Sequence, residues 1–169
     1  MKVLVTAASK HGSTEEIARE ISGTLEENGL QVVVTSPEEV RSVDEYDAVV
    51  LGSAVYAGHW MKEAKELVDR LSDALAERPV WLLSSGPIGD PPKPEEDPVD
   101  VAEVMDRTGA RNHRVFAGKL FKKGLSFGEK AIVLALRAPE GDFRDWDEIR
   151  SWAVEIAEAI QKQESKEAR

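Results

Sequence analysis

Apolar residues in the first half of the chain alternate between short unbroken runs and longer stretches whose apolar positions recur every three or four residues. Residues 3–5 form the first run, and Ile17, Ile21 and Leu25 follow at helical spacing after a loop of Ser, Gly and Thr residues. Unbroken runs are typical of buried strands, whereas the helical spacing indicates an amphipathic helix. The pattern therefore predicts a strand, a loop and a helix at the start of the chain.

The same alternation continues along the chain. Asn28 and Gly29 predict the end of the first helix, because both residues tolerate the left-handed conformation of a helix cap. Further strands are predicted over 30–34, 48–51, 80–83 and 114–117, and further helices over 60–75, 101–105 and 130–136. Of these, 131–136 fits a strand equally well, and that alternative stays open.

Three other segments have a recognisable local composition. Asp145 and Glu148 have the spacing of a capping box ahead of a helical pattern, which predicts a closing helix. Residues 87–98 contain five prolines and several acids, so we expect an exposed excursion there. Residues 161–169 are polar and are predicted to be a fraying helix end.

The alternation of strands with helices determines the expected fold class. Strands that read as continuous apolar runs are buried on both faces, as in a parallel sheet covered by helices on each side. We therefore predict an α/β fold with a single domain over residues 1–160, followed by the polar tail 161–169.

Charge and cysteine content exclude several classes of function. The formal net charge is -10, which disfavours a nucleic acid partner because phosphates would be repelled. The chain has no cysteine, so disulfides, thiolate nucleophiles, iron–sulfur clusters and cysteine-ligated zinc are excluded. Redox chemistry would therefore require a bound cofactor.

The distribution of apolar residues also bears on cellular location. The first residues lack the long apolar core and the cleavage site of a signal peptide. No stretch approaches the ~20 apolar residues that cross a bilayer. We expect a cytoplasmic protein without a transmembrane segment, for which peripheral contact with a membrane stays open.

The loop after the first predicted strand is suited to phosphate binding. It consists of Ser9, Lys10, His11, Gly12, Ser13 and Thr14. Backbone N–H groups and the dipole at a helix start attract anions, and hydroxyl groups donate to phosphate oxygens. In the alternative interpretation, Ser13 caps the helix and Glu16 completes a capping box. The spacings of a Walker A loop and of a dinucleotide fingerprint are absent, which disfavours ATP and NAD.

The segment after the third predicted strand combines glycines with two aromatic residues. Its candidate binding residues are Ser53, Ala54, Val55, Tyr56, Ala57, Gly58 and Trp60. Tyr56 and Trp60 could stack on a planar heteroaromatic ligand. The alternative, which the pattern supports equally, is that Trp60 packs in the core while Tyr56 lies on the surface.

The segment after the fourth predicted strand offers hydroxyls, glycines and backbone amides. It runs over residues 84–90, and its candidate binding residues are Ser84, Ser85, Gly86, Pro87, Ile88 and Gly89. In an open parallel sheet, ligands bind beyond the carboxyl ends of the strands near the point where strand order reverses. We therefore expect this segment to bind the polar edge of the ligand.

Segments 3–5, 9–14 and 52–58, with the pair Asp145-Trp146, together resemble the flavodoxin superfamily. The chain is most similar to the branch of menaquinone-dependent protoporphyrinogen dehydrogenases, which it resembles again over 114–120, although the longer basic and aromatic insertion of that branch is short here. The resemblance implies a flavodoxin-like three-layer sandwich with a five-stranded parallel sheet. It also implies that FMN is held non-covalently, with its phosphate in the first loop and its ring between the other two segments.

The resemblance further implies an FMN-dependent oxidoreductase that passes electrons from a porphyrinogen to a quinone. The alternative is an electron carrier that shuttles between redox partner proteins. In either case the cofactor supplies the redox chemistry, and no catalytic residue is assigned. His11 and His59 could move protons near neutral pH, or they could be solvated loop residues. The acids around Asp145 are explained by a helix start, so no metal site is expected.

Overall fold

Parallel strands form the centre of the fold in the computed structural model, which describes residues 1–89 and 94–169. The strands are β1 (Lys2–Ala8), β2 (Gln31–Thr35), β3 (Ala48–Tyr56), β4 (His59–Trp60), β5 (Val80–Ser85), β6 (Asn112–Phe116), β7 (Lys119–Leu120) and β8 (Gly141–Asp142). The α-helices are α1 (Ser13–Glu27), α2 (Lys62–Ala76), α3 (Val101–Thr108), α4 (Phe127–Ala135) and α5 (Trp146–Glu167), and a short 3-10 helix covers Pro37–Glu39.

The order of strands across the main sheet is β2-β1-β3-β5-β6, and all neighbours in this order are parallel. The chain runs from β1 outward to β2 and then returns to β3 on the other side of β1, so strand order reverses between β1 and β3. β4 pairs antiparallel with the end of β3, and β7 and β8 form a separate antiparallel pair. This arrangement places the carboxyl ends of β1, β3 and β5 at one edge of the sheet.

Two apolar cores cover the two faces of the sheet. Val3 and Val5 of β1 pack with apolar residues of α1 and α5 on one face. Leu4, between them, packs with apolar residues of α2 and α3 on the other face, because successive side chains of a strand point in opposite directions. The result is the predicted α/β three-layer sandwich, with a five-stranded parallel sheet and helices on both faces.

Several boundaries differ from the sequence prediction. β3 and β5 continue through residues whose composition predicted loops. α2 begins at Lys62, two residues later than predicted, because Trp60 belongs to β4. Of the two alternatives for 131–136, the helix is observed. It begins at Phe127 because Ser126 caps it, and Glu129 completes a capping box. α5 continues to Glu167 and so includes most of the polar tail.

The excursion predicted over 87–98 is exposed only in part. Residues 90–93, and with them Asp90 of the third predicted binding segment, lie outside the described residues. Pro87 and Pro98 are buried, whereas 94–97 are exposed. Within the described ranges, no helix is long and apolar enough to cross a membrane.

Candidate functional site

The three predicted binding segments leave neighbouring strands at the same edge of the sheet. Ala8 pairs with Ser53 across β1 and β3, and Ala54 pairs with Ser85 across β3 and β5. Because these strands are parallel, their exits lie side by side. The fold therefore brings together the segments that follow β1, β3 and β5, at the edge where α/β proteins bind ligands.

The loop after β1 presents an uncapped helix start. Gly12 occupies the N-cap position of α1 in the left-handed conformation, with φ 85°, and no side chain of the described residues caps the helix. The Ser9 hydroxyl accepts from the backbone N–H of Gly12 at 3.1 Å, which holds the loop in shape. The Ser13 hydroxyl oxygen is buried and has no hydrogen-bond partner among residues 1–89 and 94–169. A buried, unpaired hydroxyl beside unpaired helix N–H groups fits a bound anion.

The alternative role of Ser13 as the cap of α1 is wrong. Gly12 takes that position, so Ser13 is already the first helical residue. Glu16 does not complete a capping box either, because its carboxylate accepts from Arg144 at 2.7 Å. Arg144 in turn donates to the Ser13 carbonyl oxygen at 3.2 Å and makes two further hydrogen bonds to Asp142, so α1 is tied to β8.

Lys10 and His11 of the loop after β1 both contact one carboxylate. Glu129 of α4 accepts from His11 Nε2 at 2.6 Å and from Lys10 Nζ at 3.0 Å. The hydrogen bond from His11, with those from Lys10 and Ser126, lowers the pKa of Glu129 to about 2. Composition did not identify Glu129 as a site residue, although the spacing of Ser126 and Glu129 is that of a capping box and predicts a helix start.

The segment after β3 is a tight hairpin. Ala57 and Gly58 both have positive φ, 49° and 79°, as a two-residue turn of the primed type requires. Tyr56 precedes this turn with 41% of its surface exposed, and Lys10 Nζ lies 5.9 Å from the centre of its ring. Burial of part of the side chain, followed by the charge of Glu129, raises the pKa of Tyr56. The Tyr56 ring is thus held beside the loop after β1.

Trp60 packs in the core and does not face a ligand, so of the two interpretations of its sequence the core position is observed. Only 2% of its surface is exposed, and its ring lies with apolar residues of α2 and β5. Its indole N–H donates to the Ser84 hydroxyl at 2.8 Å. Trp60 therefore anchors the hairpin to the core, whereas Tyr56 is the aromatic residue that is exposed at the surface.

Two of the predicted hydroxyl donors are used inside the protein. Ser53 is fully buried; its hydroxyl donates to the carbonyl of Ala54 at 2.7 Å and accepts from the N–H of Met61 at 2.8 Å. Ser84 is also fully buried, and besides Trp60 it contacts His113 Nε2 at 2.8 Å. These hydroxyls fix the shape of the two segments rather than facing the edge of the sheet.

The segment after β5 is packed closely against the chain that leaves β6. A Cβ atom added to Gly118 would lie 3.1 Å from the Cα of Gly86, so a side chain there would press on the backbone of this segment. The N–H of Gly86 donates to the carbonyl of Phe116, and the N–H of Gly118 donates to that of Pro87 at 2.7 Å. The Gly86 N–H and the Pro87 carbonyl are therefore used within the protein and fix the path of this segment.

The two candidate proton-transfer histidines are held by different carboxylates. His11 contacts Glu129, whereas His59 Nδ1 lies 3.2 Å from Asp100. Burial raises the pKa of Asp100, but hydrogen bonds from the N–H of Trp60 and from His59 outweigh it, so the net shift is downward. The structure therefore places the two histidines in separate contacts, each with its own carboxylate.

A cavity of about 420 Å³ adjoins the loop after β1. Its wall includes His11 and Ser13 on the loop side, and Lys119, Phe121 and Lys123 from the chain around β7. Cationic and apolar groups therefore line the same space. Such a lining suits a ligand that carries both negative charge and a large apolar surface.

Comparison with known proteins agrees with this geometry. A family model described as "Flavodoxin domain" matches residues 4–147. Protoporphyrinogen IX dehydrogenase [quinone] of Escherichia coli strain K12 is 24% identical, over 96% of this chain and 98% of that protein.

Solved structures also share the fold. A flavodoxin from the domain Archaea has a TM-score of 0.67 at 20% identity, over 95% of this chain and 99% of its own. Flavodoxin 1 of Bacillus cereus has a TM-score of 0.59 at 15% identity, over 94% and 98%. The family model covers most of the chain and the parallel sheet has the matching architecture. The chain therefore belongs to the flavodoxin domain family.

Proposed function

We propose that this protein binds FMN at the carboxyl edge of its sheet and acts as an oxidoreductase that passes electrons from a porphyrinogen-like substrate to a quinone. The observation that carries the cofactor assignment is the buried Ser13 hydroxyl, which has no partner in the described part of the chain, at the uncapped start of α1. The assignment of substrate and acceptor is supported by the near full-length similarity to the Escherichia coli enzyme.

The residues around α1 fit the phosphate of FMN. Ser9, Ser13 and Thr14 supply hydroxyls, and the first N–H groups of the helix supply backbone donors. Gly12 brings the backbone close without a side chain. Lys10 adds positive charge and His11 offers a ring nitrogen, although Glu129 competes for both.

The ring of the cofactor is assigned to the space between the hairpin after β3 and the segment after β5. Tyr56 offers an exposed ring face there, and the backbone N–H groups of Ile88 and Gly89 are the candidate donors. Bound FMN would supply the redox chemistry, and the chain would orient it and restrict access of water. The Trp60–Ser84–His113 contacts keep both segments in position.

The lining of the cavity beside the loop after β1 favours a substrate that is both anionic and largely apolar. Protoporphyrinogen carries two carboxylates on a large ring system, which matches a wall of lysine and aromatic side chains. Lys119 and Lys123 are the residues that would bind the carboxylates. They would position the substrate rather than take part in chemistry.

The second candidate function is electron transfer between proteins. The net charge of -10 would steer the protein toward basic patches on redox partners. A carrier would hold FMN in the same way but would show no quinone-dependent turnover of a porphyrinogen.

The test has two stages. The chromophore of the purified protein is first recorded by absorption, released with acid and identified, and FMN is the expected product. The holoprotein is then mixed anaerobically with protoporphyrinogen IX and a menaquinone analogue, and porphyrin fluorescence is followed. Quinone-dependent formation of porphyrin, with a raised KM in Lys119→Gln and Lys123→Gln, supports the enzyme. FMN without turnover contradicts the enzyme and favours the carrier, whereas absence of FMN binding contradicts both.

A further inference from the structure

One buried hydroxyl group joins the hairpin after β3 to the strand β6. Ser84 is fully buried, and its hydroxyl oxygen lies 2.8 Å from the indole nitrogen of Trp60 and 2.8 Å from Nε2 of His113. Only 8% of the His113 side chain is exposed. Trp60 belongs to β4, which pairs with the end of β3. The three side chains therefore connect a buried ionisable group to the hairpin that carries Tyr56.

The donors and acceptors of this contact determine the form of His113. An indole nitrogen can only donate, so the Ser84 oxygen accepts from Trp60 and the Ser84 hydrogen is left to donate. Within the described residues, the further partner of this hydroxyl is His113 Nε2. A histidine nitrogen accepts a hydrogen bond only when it carries no proton. His113 is therefore neutral in this arrangement, with its proton on Nδ1.

Among the described residues, one charged group lies close to the ring of His113. Asp97 is 3.8 Å from Nδ1, which is beyond hydrogen-bond distance, and 69% of its side chain is exposed. On β5, Leu82 pairs with His113 and Ser84 contacts it, and neither residue is charged. Arg114, the next residue of β6, pairs with acids of α5 on the opposite face of the sheet. Burial lowers the pKa of His113 more than Asp97 raises it, which agrees with a neutral ring.

Two further hydrogen bonds hold the hairpin from the chain ahead of α3, and neither should weaken in mild acid. The N–H of Val99 donates to the carbonyl of Gly58 at 2.9 Å, and a bond between backbone groups does not titrate. The N–H of Trp60 donates to Asp100 at 2.9 Å, and the pKa of Asp100 is lowered overall despite its burial. Protonation of His59, 3.2 Å from Asp100, would strengthen that pair. The contact through Ser84 is therefore the acid-sensitive one.

We propose that neutral His113 is a positioning residue for the hairpin after β3, and that its protonation releases Trp60 and weakens ligand binding at the edge of the sheet. A proton on Nε2 would turn the acceptor of the Ser84 hydroxyl into a second donor. The Ser84 hydrogen would then be buried without a partner, which is costly enough to favour rotation of the side chain. That rotation breaks the bond to Trp60. The ligand itself, FMN, rests on the proposed function.

Magnetic resonance of the apoprotein tests this network without a ligand. With isotope-labelled histidine, we expect the proton of His113 on Nδ1 at neutral pH. The indole N–H signal of Trp60, identified by its loss in Trp60→Phe, should shift and exchange faster with water as His113 is protonated, with a midpoint below pH 6.5. In His113→Gln, whose amide oxygen can accept from Ser84, the signal should not move. A proton on Nε2 at neutral pH, or a Trp60 signal that ignores the ionisation of His113, would overturn the proposal.

FMN titrations at neutral and mildly acidic pH test the consequence for binding. The FMN phosphate and His11 also titrate in this range, but they do so in every variant and cancel when variants are compared. Acid should weaken FMN binding to the unaltered protein about three- to ten-fold more than binding to His113→Gln, as expected for the loss of one hydrogen bond. Arg114→Gln, the matched control on the same strand, should respond to acid as the unaltered protein does. Equal responses of the unaltered protein and His113→Gln would contradict the proposal.

Ser84→Ala provides a second variant in case His113→Gln does not fold. This substitution removes the link between Trp60 and His113, so FMN should bind more weakly at neutral pH and the extra response to acid should disappear. A response equal to that of the unaltered protein would show that His113 does not act through Ser84. Absence of FMN binding to the unaltered protein would contradict the proposed function instead, and the Trp60 signal would then decide whether His113 holds the hairpin.

Discussion

His11 Nε2 lies 2.6 Å from the carboxylate of Glu129, a contact between residues 118 positions apart in the chain. It joins the loop after β1, which is the candidate phosphate site, to α4. The pKa of Glu129 is lowered from 4.5 to about 2, chiefly by the hydrogen bond from His11, so the carboxylate stays charged well below pH 4.5. A depressed carboxyl pKa stabilises the fold above pH 4.5, and that stabilisation is lost as pH falls toward 2.

The same contact predicts the effect of removing the carboxylate. Glu129→Gln should release Lys10 and His11 and remove a negative charge from beside the phosphate. FMN should then bind about two- to ten-fold more tightly at low salt. Fluorescence titration of the apoprotein measures this. The control is Glu140→Gln, which removes a carboxylate that accepts from the N–H of Lys122 and does not contact the loop after β1 through that bond. Equal effects of the two variants on FMN affinity would contradict the proposal that Glu129 competes with the phosphate for Lys10 and His11.

Ser13→Ala tests the phosphate site without disturbing the fold. The Ser13 hydroxyl makes no hydrogen bond within the described ranges, so its removal should leave the urea midpoint of the apoprotein unchanged or slightly raised. FMN affinity should fall about ten-fold or more, because one hydrogen bond to a charged group is lost. Thr24→Ala, which removes a hydroxyl bonded to the carbonyl of Glu20 on the same helix, should not alter FMN affinity. Unchanged affinity in Ser13→Ala would place the phosphate elsewhere.

Arg144 is predicted to matter for stability more than other surface-charged residues. Only 3% of its side chain is exposed, and it binds Asp142 and Glu16. Since both partners can be rehydrated, Arg144→Met should cost about 2 kcal/mol, between the values typical of exposed and buried ion pairs. Arg150→Met, which breaks a half-exposed pair with Glu20, should cost clearly less, because solvent screens that pair. Urea unfolding of the two variants would show the ranking, and equal costs would refute it.

The burial of His113 leads us to expect that the protein loses stability in mild acid. Burial lowers its pKa below 6.5, although Asp97, 3.8 Å away, opposes the shift. The unfolded chain therefore takes up a proton at a higher pH than the folded chain, so stability is complete above pH 6.5 and declines as pH falls below it. His113→Gln should flatten this dependence in urea unfolding between neutral pH and mildly acidic pH. His59→Gln controls for the loss of a histidine, and a dependence that survives His113→Gln would exclude this residue as the cause.

The alternation of apolar runs with helical spacing was sufficient to predict an α/β fold, because runs such as 48–51 are typical of strands buried on both faces. The five-stranded, three-layer form of that fold was implied by the family resemblance. The ends of strands were less predictable. Ser53 and Ser84 have the composition of loop residues, yet the parallel ladder continues through them because their hydroxyls find partners inside the protein. Local composition carries no information about such distant partners.

The candidate site was predictable in its segments but not in its internal contacts. Residues 9–14 follow β1 as expected, and the capping role of Ser13 was wrong because Gly12 takes the cap position. The pairing of Lys10 and His11 with Glu129 joins positions far apart in the chain, and only the tertiary structure brings them together. Sequence alone left open whether Trp60 packs in the core while Tyr56 lies on the surface, and the structure shows that it does.

The account depends most on the claim that the loop after β1 holds the phosphate of FMN. Parallel titrations of the apoprotein with FMN and with riboflavin, which lacks the phosphate, test it most directly. FMN should bind at least about 100-fold more tightly, because several hydrogen bonds to a charged group are made only with the phosphate. Equal affinity for the two flavins, or no binding of either, would contradict the account.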